Sequence, residues 1–424
     1  MSEKKGQVSI VSAFGRGYWL AAQLVREGLD VHLIDVSSQL GIWPAEDIEG
    51  PFGFFRHEGY SSSQVDRILS EEPYQELSNG FTCLLPQGPI EFKSPLTKFY
   101  LEKMGLDPSK QKTLLPGQKV NLTEVAKEEF AANWLVGFAS QWASTTYREN
   151  RRSIGRGESA LPLLSSFWVR SLTRQSADAS HRWLSQAGVS VFKQTEIMDL
   201  SFDGKNISGL ELQGDRQGLF KVDQLVWALT SEETYFLNSK IGEKIFTKGA
   251  LESEWSWVRY RCQFDSCAER EQLPLHMVWI KDPIAPWSHE NLMTLQRTAL
   301  ADQFDVWIRI PTVQRFNKDY LRLRGEKVLQ VISERWSQIN PSILVYPQEF
   351  NYTYKQLGAP RYPVFSDQQS ARRGYVQSPN LHWSTPEVWN NYSWEVQLQG
   401  EEDLRVKLVQ WWQKKLAKEK GKEA

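Results

Sequence analysis

Residues 7–36 combine the patterns of a strand, a helix and a second strand. Residues 7–13 are a short apolar run of the kind found in strands that are buried on both faces. Residues 17–27 repeat apolar side chains at helical spacing, and Gly28 stands where such a helix would end. Residues 30–36 have the pattern of a second buried strand. Two strands joined by one short helix predict a βαβ unit, and therefore a parallel sheet.

A βαβ unit of this kind is a common support for a dinucleotide. Its helix offers free N–H groups and a partial positive charge to a pyrophosphate, and an acid after the second strand binds a ribose. Asp35 stands at that acidic position. The glycine pattern G-x-G-x-x-G, placed without gaps, falls on Ser12, Phe14 and Gly17, and the Phe14 ring would then fill the space of the pyrophosphate. A register that starts at Gly15 instead keeps two of the glycines.

Further segments near the N-terminus carry a resemblance to a known superfamily. The spacing from Gly17 to Asp35, the glycine Gly41, and residues 53–59 (Gly-Phe-Phe-Arg-His-Glu-Gly) are similar to the opening of flavin amine oxidases, protoporphyrinogen oxidases and phytoene desaturases. The resemblance implies a Rossmann-like fold that binds FAD and transfers hydride from an amine or an apolar substrate to the flavin.

Two later regions fit the same resemblance. Residues 176–229 predict a helix and a series of strands, with Ile197 where the family's backbone meets the adenine. Near the C-terminus the family's Gly-Asp pair is replaced by Thr385-Pro386, and Glu395 belongs to a Ser-x-Glu sequence that resembles the opening of the family's last helix. The cofactor contacts that the resemblance implies are Ser12, Phe14, Gly15, Gly17, Asp35, Gly41, Ile197 and Glu395. No catalytic residue is identified.

The predicted fold class is α/β, with a Rossmann-like FAD/NAD(P)-binding domain and an interleaved α+β substrate domain. The dinucleotide-binding domain is predicted to be discontinuous and to comprise residues 1–95, 150–240 and 371–424. The substrate domain is predicted to comprise residues 96–149 and 241–370. Within it, the alternating patterns of residues 255–264 and 275–280 predict strands, and residues 318–340 have the period of a helix.

Composition narrows the remaining possibilities. A chain of 424 residues is long enough for two domains, and a formal net charge of −1 gives no general attraction to nucleic acid. The three cysteines and six histidines show no metal-ligand spacing, so no metal site is expected. No run reaches the roughly 18 apolar residues of a membrane-spanning helix, and no cleavable signal is evident, so we expect a cytoplasmic protein without an integral membrane segment.

Three functions remain open from the sequence. The first is an FAD-dependent oxidoreductase acting on a small amine or apolar substrate. The second is a cofactor-free pseudoenzyme of the same fold that acts as a binding or assembly module and would bind a protein partner; Ser12, Phe14 and Thr385-Pro386 favour it. The third is the binding of NAD(P) or another nucleotide by a rearranged turn between the first strand and the first helix.

Overall fold

A computed structural model describes a defined part of the chain, and all structural statements below concern that part. The described residues are 6–13, 15–36, 54–57, 74–79, 81–85, 88–92, 167–174, 177–246, 255–264, 276–280, 292–298, 302–337, 339–347, 362–364, 375–389 and 394–423. Phe14 and Gly41, two of the predicted cofactor contacts, lie outside these ranges. Glu395 lies on a described helix, but its side chain is not described.

A five-stranded parallel sheet forms the first layer and has the order β8-β2-β1-β12-β19. Its strands are β1 (Gln7–Ser12), β2 (Asp30–Asp35), β8 (Ser190–Phe192), β12 (Gln224–Trp227) and β19 (Leu381–Trp383). β1 and β12 are almost wholly buried, which explains their continuous apolar sequence. The predicted βαβ unit and the α/β class are both confirmed.

Three helices pack together beside this sheet: α1 (Tyr18–Arg26), α2 (Ala177–Ala187) and the long C-terminal α7 (Trp394–Glu423). Leu20 and Leu24 of α1 share one apolar cluster with Leu408 and Trp412 of α7. α1 ends as the sequence predicts, because Gly28 adopts a left-handed backbone conformation with φ +87°. The C-terminal helix is therefore anchored directly on the helix of the βαβ unit.

A smaller antiparallel sheet and two short helices continue this half of the molecule. The sheet contains β9 (Glu196–Asp203), β10 (Asn206–Gln213) and β11 (Gly218–Lys221). The helices α3 (Ser231–Leu237) and α4 (Ser239–Ile245) follow β12. α3 begins with a complete capping box between Thr230 and Glu233, which satisfies two backbone donors at its start.

The second large layer is an eight-stranded mixed sheet. The helix α5 (Lys318–Arg335) packs against it and shares its apolar core. Its strands are β5 (Phe81–Leu85), β6 (Gly88–Phe92), β13 (Trp255–Phe264), β14 (His276–Ile280), β15 (Leu292–Arg297), β16 (Gln303–Pro311), β17 (Pro341–Val345) and β18 (Tyr362–Val364). Three further strands, β3 (Phe54–His57), β4 (Tyr74–Asn79) and β7 (Phe167–Arg174), form a separate sheet, and α6 (Pro386–Trp389) is a single turn.

The second sheet differs from the sequence-based expectation in two details. α5 ends at Arg335 rather than continuing to residue 340, because Ile339 turns into the core before β17 begins. The sequence assigns residues 81–92 to the first domain, whereas β5 pairs with β14 of the second sheet. The domain boundaries themselves stay a prediction.

Candidate functional site

The turn between β1 and α1 lies at the carboxyl end of the parallel sheet, where ligands bind in folds of this class. Gly15 and Gly17 both have left-handed backbones, with φ +76° and +80°. A Cβ on Gly17 would lie 2.9 Å from Ile10 Cγ2, so this position also needs glycine for space. The Ser12 hydroxyl donates to the Arg16 carbonyl oxygen at 2.6 Å and closes the turn. The two glycines kept by the shifted register are therefore the ones that the backbone requires.

The first turn of α1 already holds a carboxylate. Glu401 Oε1 accepts from Gly17 N at 2.8 Å, and Glu401 Oε2 accepts from Leu20 N at 3.2 Å. The Ser384 hydroxyl, which follows β19, donates to Oε1 at 3.4 Å. The Glu401 residue is 1% exposed. We call the Gly17 and Leu20 N–H groups the α1 N-terminal site.

The position of Glu401 follows from what α1 lacks. Gly17 provides no side-chain cap, and the first turn of α1 contains no acid, so its N–H groups and partial positive charge must be satisfied from elsewhere. α7 packs on α1 and supplies Glu401 from 384 residues further along the chain. The contact is thus a helix cap provided by tertiary structure.

Asp35, the acid predicted to bind a ribose, is fully buried. The Tyr18 hydroxyl, at the start of α1, donates a short hydrogen bond to Asp35 Oδ2. The Asp35 backbone also receives a hydrogen bond from Thr195 N at 3.1 Å, which ties the end of β2 to the segment before β9. The carboxylate is in the predicted place in the fold and contacts a side chain of the same βαβ unit.

Two more buried acids join the loops around the α1 N-terminal site. Arg16 Nη2 lies 2.6 Å from Glu233 Oε2, and the Glu233 side chain is 0% exposed. Since Glu233 also accepts from Thr230 N at 2.8 Å, the ion pair fastens the β1–α1 turn to the start of α3. Breaking a buried pair of this kind is costly, because it leaves one charge in a poorly hydrated environment.

The second of these acids is Glu387 on α6. Its carboxylate accepts from the Ser231 backbone N–H and hydroxyl and from the Tyr375 hydroxyl, at 2.7–3.0 Å. Burial raises the pKa of Glu387 to about 7, although these hydrogen bonds oppose the rise by favouring the charged form. Glu387 therefore gains or loses its proton close to neutral pH.

A cavity of about 180 Å³ lies beside this network, between β2, β9, β12 and the α3–α4 pair. We call it the β2–β9 cavity. Its apolar lining residues include Val36, Ile197, Trp227, Leu229 and Ile241. Gln194, also in the wall, is a non-glycine residue with a positive φ of 44°.

The structure brings together part of the predicted set. Ser12 and Asp35 are paired in the register of β1 and β2, and the turn with Gly15 and Gly17 follows β1 directly. Ile197 lies in the wall of the β2–β9 cavity. Their role as cofactor contacts stays a prediction. The role of Phe14, Gly41 and Glu395 stays a prediction too, because the structure does not describe these positions or, for Glu395, the side chain.

Several residues of the site were not predicted from the sequence, Tyr18 and Glu401 among them. Tyr18 has an ordinary helix-start position and no local signal for its bond to Asp35. Glu401 stands in the middle of a helix, and its sequence neighbours give no sign that its side chain points at another helix terminus. An acid-free first turn after Gly17 was the one available hint.

Among the described residues, no group of three or more His, Cys, Asp or Glu side chains is arranged to hold a metal ion. No described helix combines the length and apolar character that crossing a bilayer requires.

Comparison with solved structures identifies the fold. An oxidoreductase from Methanosarcina mazei is similar over 94% of this chain and 99% of its own, with 12% identity and a TM-score of 0.59. A putrescine oxidase, solved with putrescine bound, is similar over 96% of this chain and 99% of its own, with 10% identity and a TM-score of 0.54. A Pyrococcus furiosus protein is similar over 93% and 95% of the two chains, with 12% identity and a TM-score of 0.53.

No protein-family model and no curated protein matches the sequence. At these identities the structural similarity shows the fold and nothing finer. The chain has the fold of these proteins, an oxidoreductase and a putrescine oxidase among them, with a Rossmann-like domain and a second α+β domain. This confirms the fold that the sequence resemblance implies.

The described residues do not fit a dinucleotide at the α1 N-terminal site. A pyrophosphate on this fold needs the N–H groups of the first helix, and Glu401 already accepts from two of them. Two like charges about 4 Å apart repel by ~4 kcal/mol at an effective dielectric constant of about 20. A dinucleotide would bring two more negative charges to this buried carboxylate, so Glu401 would have to leave first.

Proposed function

We propose that this protein is a cofactor-free pseudoenzyme, which keeps the oxidoreductase fold and serves as a binding module. The observation that carries the proposal is the Glu401 carboxylate on the Gly17 and Leu20 N–H groups. In this arrangement the protein itself supplies the anion that the helix terminus would otherwise take from a cofactor.

The packing of α7 holds the backbone of Glu401 next to the start of α1. Leu408 is fully buried and Trp412 is 8% exposed, and both lie in the same apolar cluster as Leu20 of α1. Arg405, on the same helix, forms ion pairs with Glu27 and Glu402. Moving Glu401 away by displacing α7 would expose this cluster, at a cost of about 1.5–3 kcal/mol for each large apolar side chain.

A second candidate function is an FAD-dependent oxidoreductase that transfers hydride from an amine or apolar substrate to flavin. The fold similarity over 94–96% of the chain favours it, as do the left-handed glycines Gly15 and Gly17. It requires the Glu401 side chain to turn away from α1 when the cofactor binds. An NAD(P) site in this turn has the same requirement, because NAD(P) also carries a pyrophosphate.

Flavin content separates the two functions. The full-length protein is expressed in a flavin-replete host, purified, and examined for a yellow colour and flavin absorbance before and after mild denaturation. The apoprotein is then titrated with FAD, and flavin fluorescence is followed. We expect a colourless protein and no saturable FAD binding.

Stoichiometric flavin in the purified protein, or saturable binding in the titration, would overturn the pseudoenzyme proposal and support the oxidoreductase. A known flavoprotein of the same fold, stripped of FAD and titrated in parallel, controls for the assay.

As part of the same proposal, the protein acts in the cytoplasm on a small ligand or a protein partner. It does not act on nucleic acid, because a net charge of −1 gives no general attraction to a polyanion.

A further inference from the structure

We propose that the surface around the start of α5 docks the protein on an anionic lipid bilayer. This surface consists of the exposed apolar side chains Val313, Phe316 and Leu323 and of the basic residues in the same stretch, and we call it the α5 patch. Docking of this kind places side chains in the headgroup region and needs no membrane-crossing segment. The inference goes beyond the proposed function, because it concerns a different surface and holds with or without a bound flavin.

The apolar part of the patch is unusually exposed. Val313 is 88% exposed, Phe316 57% and Leu323 56%, and the three lie within eleven residues of one another. Single exposed apolar side chains are common on protein surfaces, whereas a group rimmed by polar residues marks a site of protein or membrane interaction. The concentration of exposed apolar area in one short stretch is therefore the first observation that points to a partner.

The local backbone brings these side chains to one side. A 3₁₀ turn (Thr312–Gln314) joins β16 to α5. Two backbone hydrogen bonds of 3.2 and 3.0 Å, each spanning three residues, continue this turn as far as Asn317. Side chains three residues apart eclipse each other in such a turn, so Val313 and Phe316 share one side of it. Leu323 is on the exposed side of α5, about 8 Å along the helix axis from its start.

Polar contacts hold the turn in this conformation. Arg315 Nη1 lies 2.5 Å from a carboxylate oxygen of Glu232 on α3, and the Arg315 guanidinium carbon lies 4.8 Å from the centre of the Phe316 ring. Asn317 caps α5 by accepting from Tyr320 N at 3.1 Å. Because the turn is fixed at both ends, its exposed side chains lose little freedom when they meet a partner.

The charge of the patch is opposite to that of the chain. Residues 312–327 contain five Lys or Arg and two Asp or Glu, which gives a formal charge of +3 in a chain whose net charge is −1. Glu232, the partner of Arg315, reduces the local charge to +2. Lys318 and Lys327 are both exposed. A basic surface with apolar side chains between the charges is complementary to a bilayer that carries anionic lipid.

A second exposed apolar group shows that charge is the distinguishing feature. Met198, Phe202 and Leu219 are exposed on the β9–β11 sheet. Residues 196–221, which form this sheet, contain five Asp or Glu and three Lys or Arg, a formal charge of −2. An anionic bilayer would repel that surface and attract the α5 patch.

The size of the apolar group favours a bilayer over a protein partner. Three partly exposed side chains present at most a few hundred Å², which is the size of a small surface patch. A stable protein–protein interface buries about 800 Å² on each partner. A bilayer needs only the tips of the apolar side chains to enter its boundary region, while the Lys and Arg side chains stay among the headgroups.

Binding to vesicles tests the partner. The full-length protein is mixed with unilamellar vesicles of phosphatidylcholine, with or without phosphatidylserine, and the bound fraction is measured by sedimentation over a range of lipid concentrations. We expect binding to be about tenfold or more tighter when phosphatidylserine is present. Binding should weaken as salt is raised to about 1 M, where the screening length is ~3 Å. Absence of binding, or binding that is independent of phosphatidylserine, would overturn the proposal.

Single substitutions test the location. Phe316→Ser removes the ring from the patch, and we expect it to weaken binding to phosphatidylserine vesicles about tenfold. Val313→Ser should act in the same direction, and at 88% exposure this change does not disturb the core, so it keeps the test valid if Phe316→Ser does not fold. Lys318→Gln should weaken binding about fivefold, and only to vesicles that contain phosphatidylserine.

Matched controls make similar changes on the acidic surface. Leu219→Ser removes a 65% exposed apolar side chain from β11, and Lys221→Gln removes an exposed charge from the same strand. Both should leave vesicle binding unchanged. If the folded patch variants bind as wild type does, or if the β11 variants lose as much binding as they do, the site lies elsewhere and the proposal is wrong.

Sedimentation velocity without lipid tests whether the patch joins two copies of the chain instead. We expect a protein that stays monomeric as its concentration is raised, with no difference between wild type and Phe316→Ser. A dimer that Phe316→Ser dissociates would make the α5 patch a self-interface and would overturn the proposal. Flavin content does not enter any of these measurements, so the proposed function and this inference fail independently.

Discussion

Replacing Glu401 with alanine tests the contact on which the functional proposal depends. The change removes the carboxylate that accepts from Gly17 N and Leu20 N and leaves the rest of α7 in place. Alanine is the best helix former, so helix propensity does not contribute to a loss of stability. The effect should therefore report the hydrogen bonds and the charge at the α1 N-terminal site.

The expected magnitude follows from the two backbone bonds. A hydrogen bond to a charged group contributes about 1.5–3 kcal/mol, and removal of a helix N-cap costs about 0.5–2 kcal/mol. Because Glu401 is 1% exposed, water does not readily replace it. We expect a loss of about 3 kcal/mol, which corresponds to a melting temperature lower by roughly 6–12 °C if the Rossmann-like part unfolds as a unit of 150–250 residues.

The assay is thermal unfolding followed by circular dichroism, with and without inorganic phosphate. In Glu401→Ala the vacated N–H groups are open to a free anion, and phosphate at about ten times its dissociation constant would restore ~1.4 kcal/mol. The wild-type protein should show no comparable gain. Glu401→Gln should fall between wild type and the alanine variant, because its amide oxygen can still accept from one backbone N–H group while its NH₂ group would face the other.

Asp403→Ala is the matched control, since it removes an exposed carboxylate two residues along the same helix. Exposed substitutions of this kind usually change stability by less than about 0.5 kcal/mol. If Glu401→Ala melts at the same temperature as Asp403→Ala, the carboxylate does not cap α1, and the case against a bound pyrophosphate is lost. An equal phosphate response in wild type would refute the reasoning as well.

Two further predictions concern the acids around this site. Glu233→Ala removes the carboxylate that contacts Arg16, and we expect a loss of about 3–5 kcal/mol in urea unfolding; a loss below ~1 kcal/mol would contradict a structural ion pair. Burial raises the pKa of Glu387 to about 7 from an ordinary value of 4.5, so the folded state keeps a proton that the unfolded state releases between these values. Stability should then fall by about 3 kcal/mol as the pH rises through that window, and Glu387→Gln should flatten this part of the profile of melting temperature against pH. An unchanged profile would show that another group titrates.

The features predicted from sequence are those that depend on neighbours along the chain. The period of apolar residues in 7–36 is enough to define β1, α1 and β2. The helix must bury one apolar stripe and each strand must bury both faces, and both requirements are visible within the short segment itself. The strand predicted at 255–264 has those bounds in the structure for the same reason. Gly28 ends α1 through its own backbone conformation, which is again a local property.

The features that the sequence did not predict depend on residues far apart in the chain. Glu401 meets Gly17 across 384 residues, and Arg16 meets Glu233 across 217. Glu401 does not differ in its local pattern from a solvent-exposed glutamate, and the Thr230-x-x-Glu233 pattern indicates a helix start but not the contact with Arg16. Their positions follow from how α7 packs on α1 and how α3 begins, and a single sequence carries no periodic signal for such contacts.

These distant contacts also explain why the glycine pattern of the turn is incomplete. A turn that must admit a pyrophosphate needs bare backbone at each close approach, and a side chain larger than hydrogen would block it. A turn that faces Glu401 needs glycine only where its own backbone is left-handed, which is the case at Gly15 and Gly17. Ser12, by contrast, uses its hydroxyl to close the turn on the Arg16 carbonyl. The serine in place of the first glycine and the presence of the carboxylate are therefore parts of one arrangement, in which the helix terminus is satisfied from within the protein.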